Sequence, residues 1–160
     1  MLKLRILAVG KLKESWLLDG CRDYLLRLRP FAKVEVLEFA DEPARDNLSE
    51  AQINNLLSKE GEKVEKAISP STHVVLLDLA GRTMTSNQLA AYLMEQGVRG
   101  CSQFDFVIGG SHGASEGLKR RADLRLTFSS FTFPHQLMRV ILLEQLYRSM
   151  KINAGQIYHK

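Results

Sequence analysis

The sequence has little of what marks several protein classes. Its two cysteines, Cys21 and Cys101, lie far apart and fit neither a metal-ligand spacing nor a CxxC redox motif. No apolar run reaches membrane length, and the stretch that ends at Gly10 is too short for the core of a signal peptide. We therefore expect reduced thiols, no metal site, no membrane span, and a soluble cytoplasmic protein.

Common nucleotide-binding motifs are also absent. Neither G-x-G-x-x-G nor G-x-x-x-x-G-K-[ST] occurs, which disfavours classical NAD and ATP sites. No internal repeat, low-complexity segment or linker divides the chain. With 160 residues, of which 45% are hydrophobic and 25% charged, the sequence predicts one domain over residues 1–160.

The net charge of +4 is unevenly distributed. Seven acidic and three basic residues lie between Asp41 and Glu65, whereas eight Lys or Arg residues follow from Lys119 onwards against Asp123 and Glu144 alone. Clustered cations fit a polyanionic partner such as nucleic acid. An ordinary solvated face explains them equally well, so charge alone leaves both interpretations open.

Strand-like and helix-like segments alternate along the chain. Predicted strands cover Leu4–Val9, Lys33–Phe39, His73–Leu79, Phe104–Ile108 and Leu124–Phe128. Predicted helices cover Glu14–Leu28, Ser49 to about Ile68, Thr85 to near Gly97, and Gln136–Met150. The second and third open with the capping boxes Ser49/Gln52 and Thr85/Gln88. A compact crossover is predicted near Ala114–Arg121. The alternation predicts an α/β fold with a mostly parallel sheet of about five strands and helices on both faces.

The last predicted helix is apolar on nearly every side. Leu137, Val140, Ile141, Leu143 and Tyr147 are spread around it, and a helix apolar all round is buried all round. In so small a domain one face would stay exposed unless a second subunit covered it, which predicts a homodimer through this helix. A helix enclosed within one subunit is the alternative.

Two loops that follow predicted strands are candidate ligand sites. The first is GGSHG at Gly109–Gly113 and the second is SSFTFPH at Ser129–His135. Consecutive strand ends that open into permissive backbone are where an open α/β sheet binds its ligand. A plain tight turn requires the same glycines as a cofactor loop, so the first loop fits both.

The first loop also matches the G-x-S-x-G elbow of serine hydrolases. Ser111 would be the nucleophile, and Asp123 followed by His135 or His159 supplies the chain order of a triad. The chain is short for that fold and lacks an HGGG-type oxyanion segment. A serine hydrolase and a non-catalytic RNA-binding module are the two alternatives to the function considered next.

Several segments together resemble one family. They are ILAVGKLKE from Ile6, VVLLDLAG at Val74–Gly81, FVIGGSHG at Phe106–Gly113, FSSFTFPHQLMRVILLEQLYR at Phe128–Arg148 and the terminal YHK. In this order and spacing they are similar to the ribosomal large-subunit methyltransferase H family of the SPOUT class. The resemblance implies an S-adenosylmethionine-dependent enzyme that methylates N3 of a pseudouridine in 23S rRNA of the assembled ribosome.

The resemblance also implies a deep C-terminal trefoil knot that holds the cofactor. Carried over to this sequence, the cofactor-binding residues are Leu77, Gly109, Phe128, Ser129, Ser130, Phe131, Thr132 and Phe133. Apolar side chains and free peptide groups suit adenine, and glycines allow close approach. Core packing is an equally good interpretation of Phe128.

For catalysis, the enzyme must align the nucleophilic nitrogen and help to remove its proton. Candidate residues are His135, Arg139, Arg148, Tyr158 and His159. His135 is equally interpreted as a cap of the last helix, and Arg148 as a helical ion-pair partner of the residue four positions earlier. The family's tail reaches the partner subunit's cofactor pocket, so Arg148, Tyr158 and His159 are the predicted catalytic residues.

Overall fold

The computed structural model describes residues 1–43 and 46–158. Its strands are β1 (Leu2–Val9), β2 (Ala32–Phe39), β3 (His73–Thr83), β4 (Gln103–Ile108) and β5 (Leu124–Thr127). Its helices are α1 (Ser15–Leu28), α2 (Glu50–Ala67), α3 (Ser86–Val98), α4 (Glu116–Arg121) and α5 (His135–Asn153). Every predicted element is therefore present at its predicted place, with differences confined to the ends.

The five strands form one sheet in the order β2-β1-β4-β3-β5, and all of their pairings are parallel. This confirms the predicted parallel α/β sheet. Because the strands run in one direction, the loops that follow them meet along a single edge, which we call the carboxyl edge.

Helices cover both faces of the sheet, as predicted. On one face, α1, α3 and α5 enclose a core that includes Ile6, Phe104, Phe106 and Leu142. On the other face, α2 and α4 cover a smaller core around Leu7 and the neighbouring strands. The central strands are buried on both sides, which explains why the sequence of β3 begins as a continuous apolar run.

The predicted capping boxes are present at α2 and α3. The hydroxyls of Ser49 and Thr85 accept hydrogen bonds from the backbone N–H of Gln52 and Gln88, whose side chains accept from the cap backbone in return. These reciprocal bonds satisfy N–H groups that the first helical turn leaves free. Local side-chain chemistry therefore sets where both helices begin.

Helix α5 packs against both α1 and α3 within the single chain. No residue from His135 to Asn153 is exposed, although Leu137 and Ile141 are only partly buried. The subunit therefore covers much of the apolar surface that the sequence led us to expect at an interface.

None of the helices in the described ranges is both long and apolar enough to span a lipid bilayer.

Candidate active site

The carboxyl ends of β3, β4 and β5 surround a cavity of about 600 Å³. This volume is typical of a small-molecule site. The cavity is lined by Leu77, Asp78 and Leu79 within β3, by Gly109, Gly110, Ser111, Gly113 and Ala114 after β4, and by Phe128, Thr132, Phe133, Pro134, His135 and Met138 after β5. Both loops identified in the sequence therefore contribute to one cavity wall.

The Gly109–Gly113 loop folds back on itself at the end of β4. Gly110 and Gly113 form an antiparallel bridge, and the N–H of Gly113 donates to the carbonyl of Gly110 at 3.1 Å. Gly113 has a φ of +93°, a conformation that favours glycine. A Cβ on Gly109 would lie 2.3 Å from the Gly113 carbonyl oxygen, so the loop closes this tightly only with glycine at position 109.

The loop after β5 begins one residue earlier than predicted. Strand β5 ends at Thr127, whose hydroxyl donates to the carbonyl of Ser129 at 2.8 Å, while the hydroxyl of Ser129 accepts from the N–H of Phe131 at 3.0 Å. These local bonds turn the backbone away from the sheet. Phe128 is consequently a loop residue that both lines the cavity and packs against the core.

Five of the eight predicted cofactor residues line the cavity: Leu77, Gly109, Phe128, Thr132 and Phe133. Ser129, Ser130 and Phe131 belong to the same loop but are not among the lining residues, and Phe131 is 75% exposed. Their contact with a cofactor stays a prediction.

An arch in β3 supplies a group that the sequence analysis missed. The pairing of β3 with β5 shifts register between Leu77 and Arg82, so residues 78–81 leave the ladder as a bulge. Asp78, in this arch, lines the cavity and forms an ion pair with Arg125, which donates two hydrogen bonds to its carboxylate. An Asp inside an otherwise apolar strand, three residues before a glycine, was the available signal.

His135 begins α5 and forms part of the cavity wall. The N-cap residue of α5 is Pro134, and no side-chain hydrogen bond caps the helix there, so His135 is the first helical residue and not the cap. Burial lowers the pKa of His135 below its ordinary value, with Asp41 opposing and Arg139 reinforcing that shift. The imidazole is therefore mainly neutral at pH 7 and able to accept a proton.

Arg139 lies one turn further along α5 and is 4% exposed. Its guanidinium pairs with Glu38 at 2.5 Å and donates to the carbonyl of Gly10 at 3.2 Å. These contacts bind α5 to the ends of β1 and β2. The structure thus gives Arg139 a structural position beside the cavity, not a place in its lining.

Arg148 and Tyr158 form a separate cluster near the other end of α5. The carboxylate of Glu144 accepts from Arg148 at 2.5 Å and from the Tyr158 hydroxyl at 3.2 Å, and the guanidinium lies 4.3 Å from the Tyr158 ring centroid. Burial and then Glu144 raise the pKa of Tyr158. His135 and Arg148 are thirteen positions apart in this helix, or ~20 Å along its axis.

Arg148 and Tyr158 therefore do not reach the cavity of their own chain. The helical ion pair with Glu144, weighed as the alternative for Arg148, is present. His159, the third predicted catalytic residue, lies outside the described residues.

The hydrolase triad is not assembled. Ser111 and His135 both line the cavity, but Asp123 precedes β5 at the opposite edge of the sheet, where it accepts from the N–H of Val74 at 2.7 Å. Without its acid, the serine–histidine pair lacks the orienting group that the mechanism requires.

Within residues 1–43 and 46–158 there is also no cluster of three His, Cys, Asp or Glu side chains arranged to hold a metal ion.

A smaller crevice of about 340 Å³ lies on the other side of Ser111. Asp41, Glu42 and Glu60 contribute carboxylates to it, and His112 lines it as well. Burial raises the pKa of Glu60, and the neighbouring carboxylates add to the shift, although the N–H of Glu42 donates to it at 2.9 Å. The sequence showed this acidic segment but not its proximity to the first loop.

Comparison with known proteins identifies the class. A family model described as "Predicted SPOUT methyltransferase" matches residues 2–159. A probable methylase family protein from Haemophilus influenzae Rd KW20 has a similar fold, with a TM-score of 0.54 and 11% identity over 98% of this chain and 70% of that one. The chain is thus a member of the SPOUT methyltransferase family, and the solved structure shares its fold.

Closer relatives narrow this class to one family. The chain is 46% identical over 160 residues to ribosomal RNA large subunit methyltransferase H of Desulfitobacterium hafniense DCB-2, which covers 100% of both proteins. It is also 46% identical to the protein of that name from Carboxydothermus hydrogenoformans, over 99% of this chain and 100% of the relative. The chain therefore belongs to the ribosomal RNA large subunit methyltransferase H family, as its sequence motifs predicted.

Proposed function

We propose that this methyltransferase uses S-adenosylmethionine to methylate N3 of a pseudouridine in 23S rRNA of the assembled ribosome. The cavity at the ends of β3, β4 and β5 is the observation that carries the proposal, because it unites the two loops that the family motifs single out. The names of the full-length relatives support large-subunit rRNA as the substrate.

The residues of the cavity fit the cofactor. Leu77, Phe128 and Phe133 offer apolar walls for an adenine ring, and Thr132 offers a hydroxyl. In the Gly109–Gly113 loop, the three glycines that line the cavity present backbone without side chains to the remainder of the cofactor. When bound, S-adenosylmethionine supplies a sulfonium methyl group that passes to N3, leaving a neutral thioether and the N3 proton to be removed.

The chain's own residues then position the base and manage that proton. His135 lies in the cavity wall with a lowered pKa, so its free imidazole nitrogen is suited to accept the N3 proton. The low polarity of the surrounding side chains strengthens this interaction by excluding water. Arg139 holds the first turn of α5, and thereby His135, against β1 and β2.

We further propose that the active site is completed by a second subunit. Arg148 lies ten positions, or ~15 Å, along α5 beyond Met138, the last residue of this helix in the cavity lining, and Tyr158 packs against Arg148. Both residues therefore reach a substrate in the cavity only from a partner. A two-fold dimer through α5 meets this requirement and covers the partly exposed Leu137 and Ile141. The partner's Tyr158 and His159 would position the base, with Arg148 holding RNA phosphate or the developing anion.

Subunit mixing tests the composite site. Gly109→Ala disrupts the cavity, and deletion of residues 158–160 removes the tail. Each variant alone should be inactive, but mixing the two after dissociation should restore activity, because one heterodimer site then has an intact cavity and an intact tail. Absence of recovery in demonstrated heterodimers would refute the shared site.

The finer structural proposals follow the family. Residues 1–160 would form one domain whose C-terminal part is tied in a trefoil knot, and the enzyme would act in the cytoplasm. Membership of the SPOUT methyltransferase family is what supports the knot. Slow refolding that accelerates when the chain is circularly permuted within the knot would test it.

Methyl transfer from tritiated S-adenosylmethionine tests the function. Assembled ribosomes, separated large subunits and protein-free 23S rRNA should be compared at equal concentration, and ribosomes should incorporate the label fastest. Calorimetry with the cofactor separates the alternatives: binding without transfer to any of the three would leave an RNA-binding module, and no binding at millimolar cofactor would refute the methyltransferase.

A further inference from the structure

Asp78 places a carboxylate in the wall of an otherwise uncharged cavity. The other lining residues in the described part of the chain are apolar residues, glycines, hydroxyl-bearing residues and His135, with no second Asp or Glu and no Lys or Arg. The Asp78 side chain is 14% exposed. A charge in such a setting acts more strongly on a ligand than a charge on the open surface.

The arch of β3 holds this carboxylate in place. Oδ1 accepts from the N–H of Ala80 at 3.0 Å, while Oδ2 accepts from Nε and Nη2 of Arg125 at 2.8 and 2.5 Å. Gly81 lies so close to the backbone of Arg125 that an added Cβ would be 2.7 Å from its carbonyl carbon. The side chain is therefore fixed before any ligand arrives, which limits the entropy lost on binding.

The two partners of the ion pair face different surroundings. Asp78 lines the cavity, whereas Arg125 does not and its side chain is 40% exposed. Burial tends to raise the pKa of Asp78, but the bonds from Ala80 and Arg125 outweigh it and the pKa lies below its ordinary value. Asp78 is thus anionic at neutral pH, and solvent screens the cation behind it more than the anion.

We propose that Asp78 makes the cavity select the sulfonium-bearing methyl donor over its product, whose sulfur is a neutral thioether. This inference rests on the proposed function, in which the ligand is S-adenosylmethionine. That molecule carries one more positive charge than S-adenosylhomocysteine, because its sulfur is a sulfonium. The attraction to Asp78 would be lost when the methyl group leaves, which favours release of the product and its replacement by a new donor.

Two substitutions in the same ion pair give opposite expectations. The measured quantity is the preference, defined as the Kd of S-adenosylhomocysteine divided by the Kd of S-adenosylmethionine, determined by calorimetry. Asp78→Asn keeps the shape but removes the anion, so the preference should fall about tenfold. Arg125→Met removes the compensating cation and should raise the preference a few-fold.

This opposition separates electrostatics from a structural role. Both substitutions remove the same ion pair, so a purely structural pair would weaken both ligands alike and leave the preference unchanged. Asp123→Asn is the matched control: this carboxylate also pairs with an arginine and a backbone N–H, but at the far edge of the sheet, and should not alter the preference. A change of the same sign in both variants, or no change in either, would overturn the inference.

Failure of the inference is distinguishable from failure of the proposed function. If the wild-type protein binds neither compound, the proposed function fails. If it binds both and the preference is insensitive to Asp78→Asn and Arg125→Met, only the present inference fails. Thermal unfolding without ligand reports whether each variant is folded. If Asp78→Asn does not fold, Arg125→Met alone still decides, since an unchanged or lower preference in that variant would contradict the inference.

Discussion

Adding one methyl group at Gly109 tests how the cavity wall is built. In Gly109→Ala the new Cβ would lie 2.3 Å from the carbonyl oxygen and 2.7 Å from the carbonyl carbon of Gly113. Both are backbone atoms of a loop closed by its own bridge to Gly110, so they cannot rotate aside as a flexible side chain would. The loop itself must move.

The expected magnitude follows from this overlap. Forcing an extra methyl group into packed structure costs typically 1–3 kcal/mol, and a backbone obstacle suggests about 2 kcal/mol of unfolding free energy. Because the displaced loop lines the cavity, we expect the Kd of S-adenosylmethionine to rise at least tenfold, or ~1.4 kcal/mol. Urea unfolding measures the first quantity and calorimetry the second.

Gly97→Ala is the matched control. Gly97 lies in α3, and no atom lies within 4 Å of the position that an added Cβ would take. A helix is less stable with glycine than with alanine at an interior position. Its unfolding free energy should rise by up to ~1 kcal/mol, with the cofactor Kd unchanged. Wild-type stability together with wild-type affinity in Gly109→Ala would refute the reasoning, since the loop would then tolerate the methyl group without moving.

Three further outcomes are expected. Glu38→Gln deprives the buried guanidinium of Arg139 of its anion, and urea unfolding should show a loss of about 2 kcal/mol; an unchanged midpoint would contradict the ion pair's role. Burial lowers the pKa of His73 and His135, so the unfolded chain takes up protons first as the pH falls. The unfolding free energy should therefore be steady above pH ~7 and decrease below ~6.5, and replacing both histidines with Gln should flatten this decrease; a wild-type rise would be inconsistent. Arg148→Met should reduce turnover but leave the cofactor Kd unchanged, because the proposed role of Arg148 in the partner's site is to hold RNA phosphate or the developing anion and not the cofactor; weakened cofactor binding would argue against that role.

The sequence predicted those features of the fold that depend on local chemistry. The helix starts at Ser49 and Thr85 followed from capping boxes, and the burial of β3 followed from its unbroken apolar run. The end of β5 did not, because the hydrogen bond from the Thr127 hydroxyl to the Ser129 carbonyl turns the chain out of the sheet after Thr127, and apolar periodicity does not register such a bond. Family motifs, not periodicity, pointed to the role of the two loops.

What escaped prediction depends on long-range contacts. In the sequence, Asp78 is only one polar residue in an apolar strand. Its role as a fixed carboxylate becomes apparent only when the fold places Arg125, 47 positions later, beside it. Likewise, the sequence put His135 in the loop before the last helix and Arg148 near the end of that helix, but it did not indicate that the cavity lies at the His135 end, ~20 Å along the helix axis from Arg148. Such separation follows from helix geometry once the cavity has been located at one end.

The most direct test of the account is to locate the transferred methyl group. Ribosomes that lack the modification should be incubated with the protein and S-adenosylmethionine, and the 23S rRNA nucleosides analysed by mass spectrometry. We predict one additional methyl group per ribosome, on N3 of a pseudouridine, and slower formation of that product when Gly109→Ala replaces the wild-type protein at limiting cofactor. Methylation of a different nucleoside, or no methylation by a protein that binds the cofactor, would contradict the proposed function.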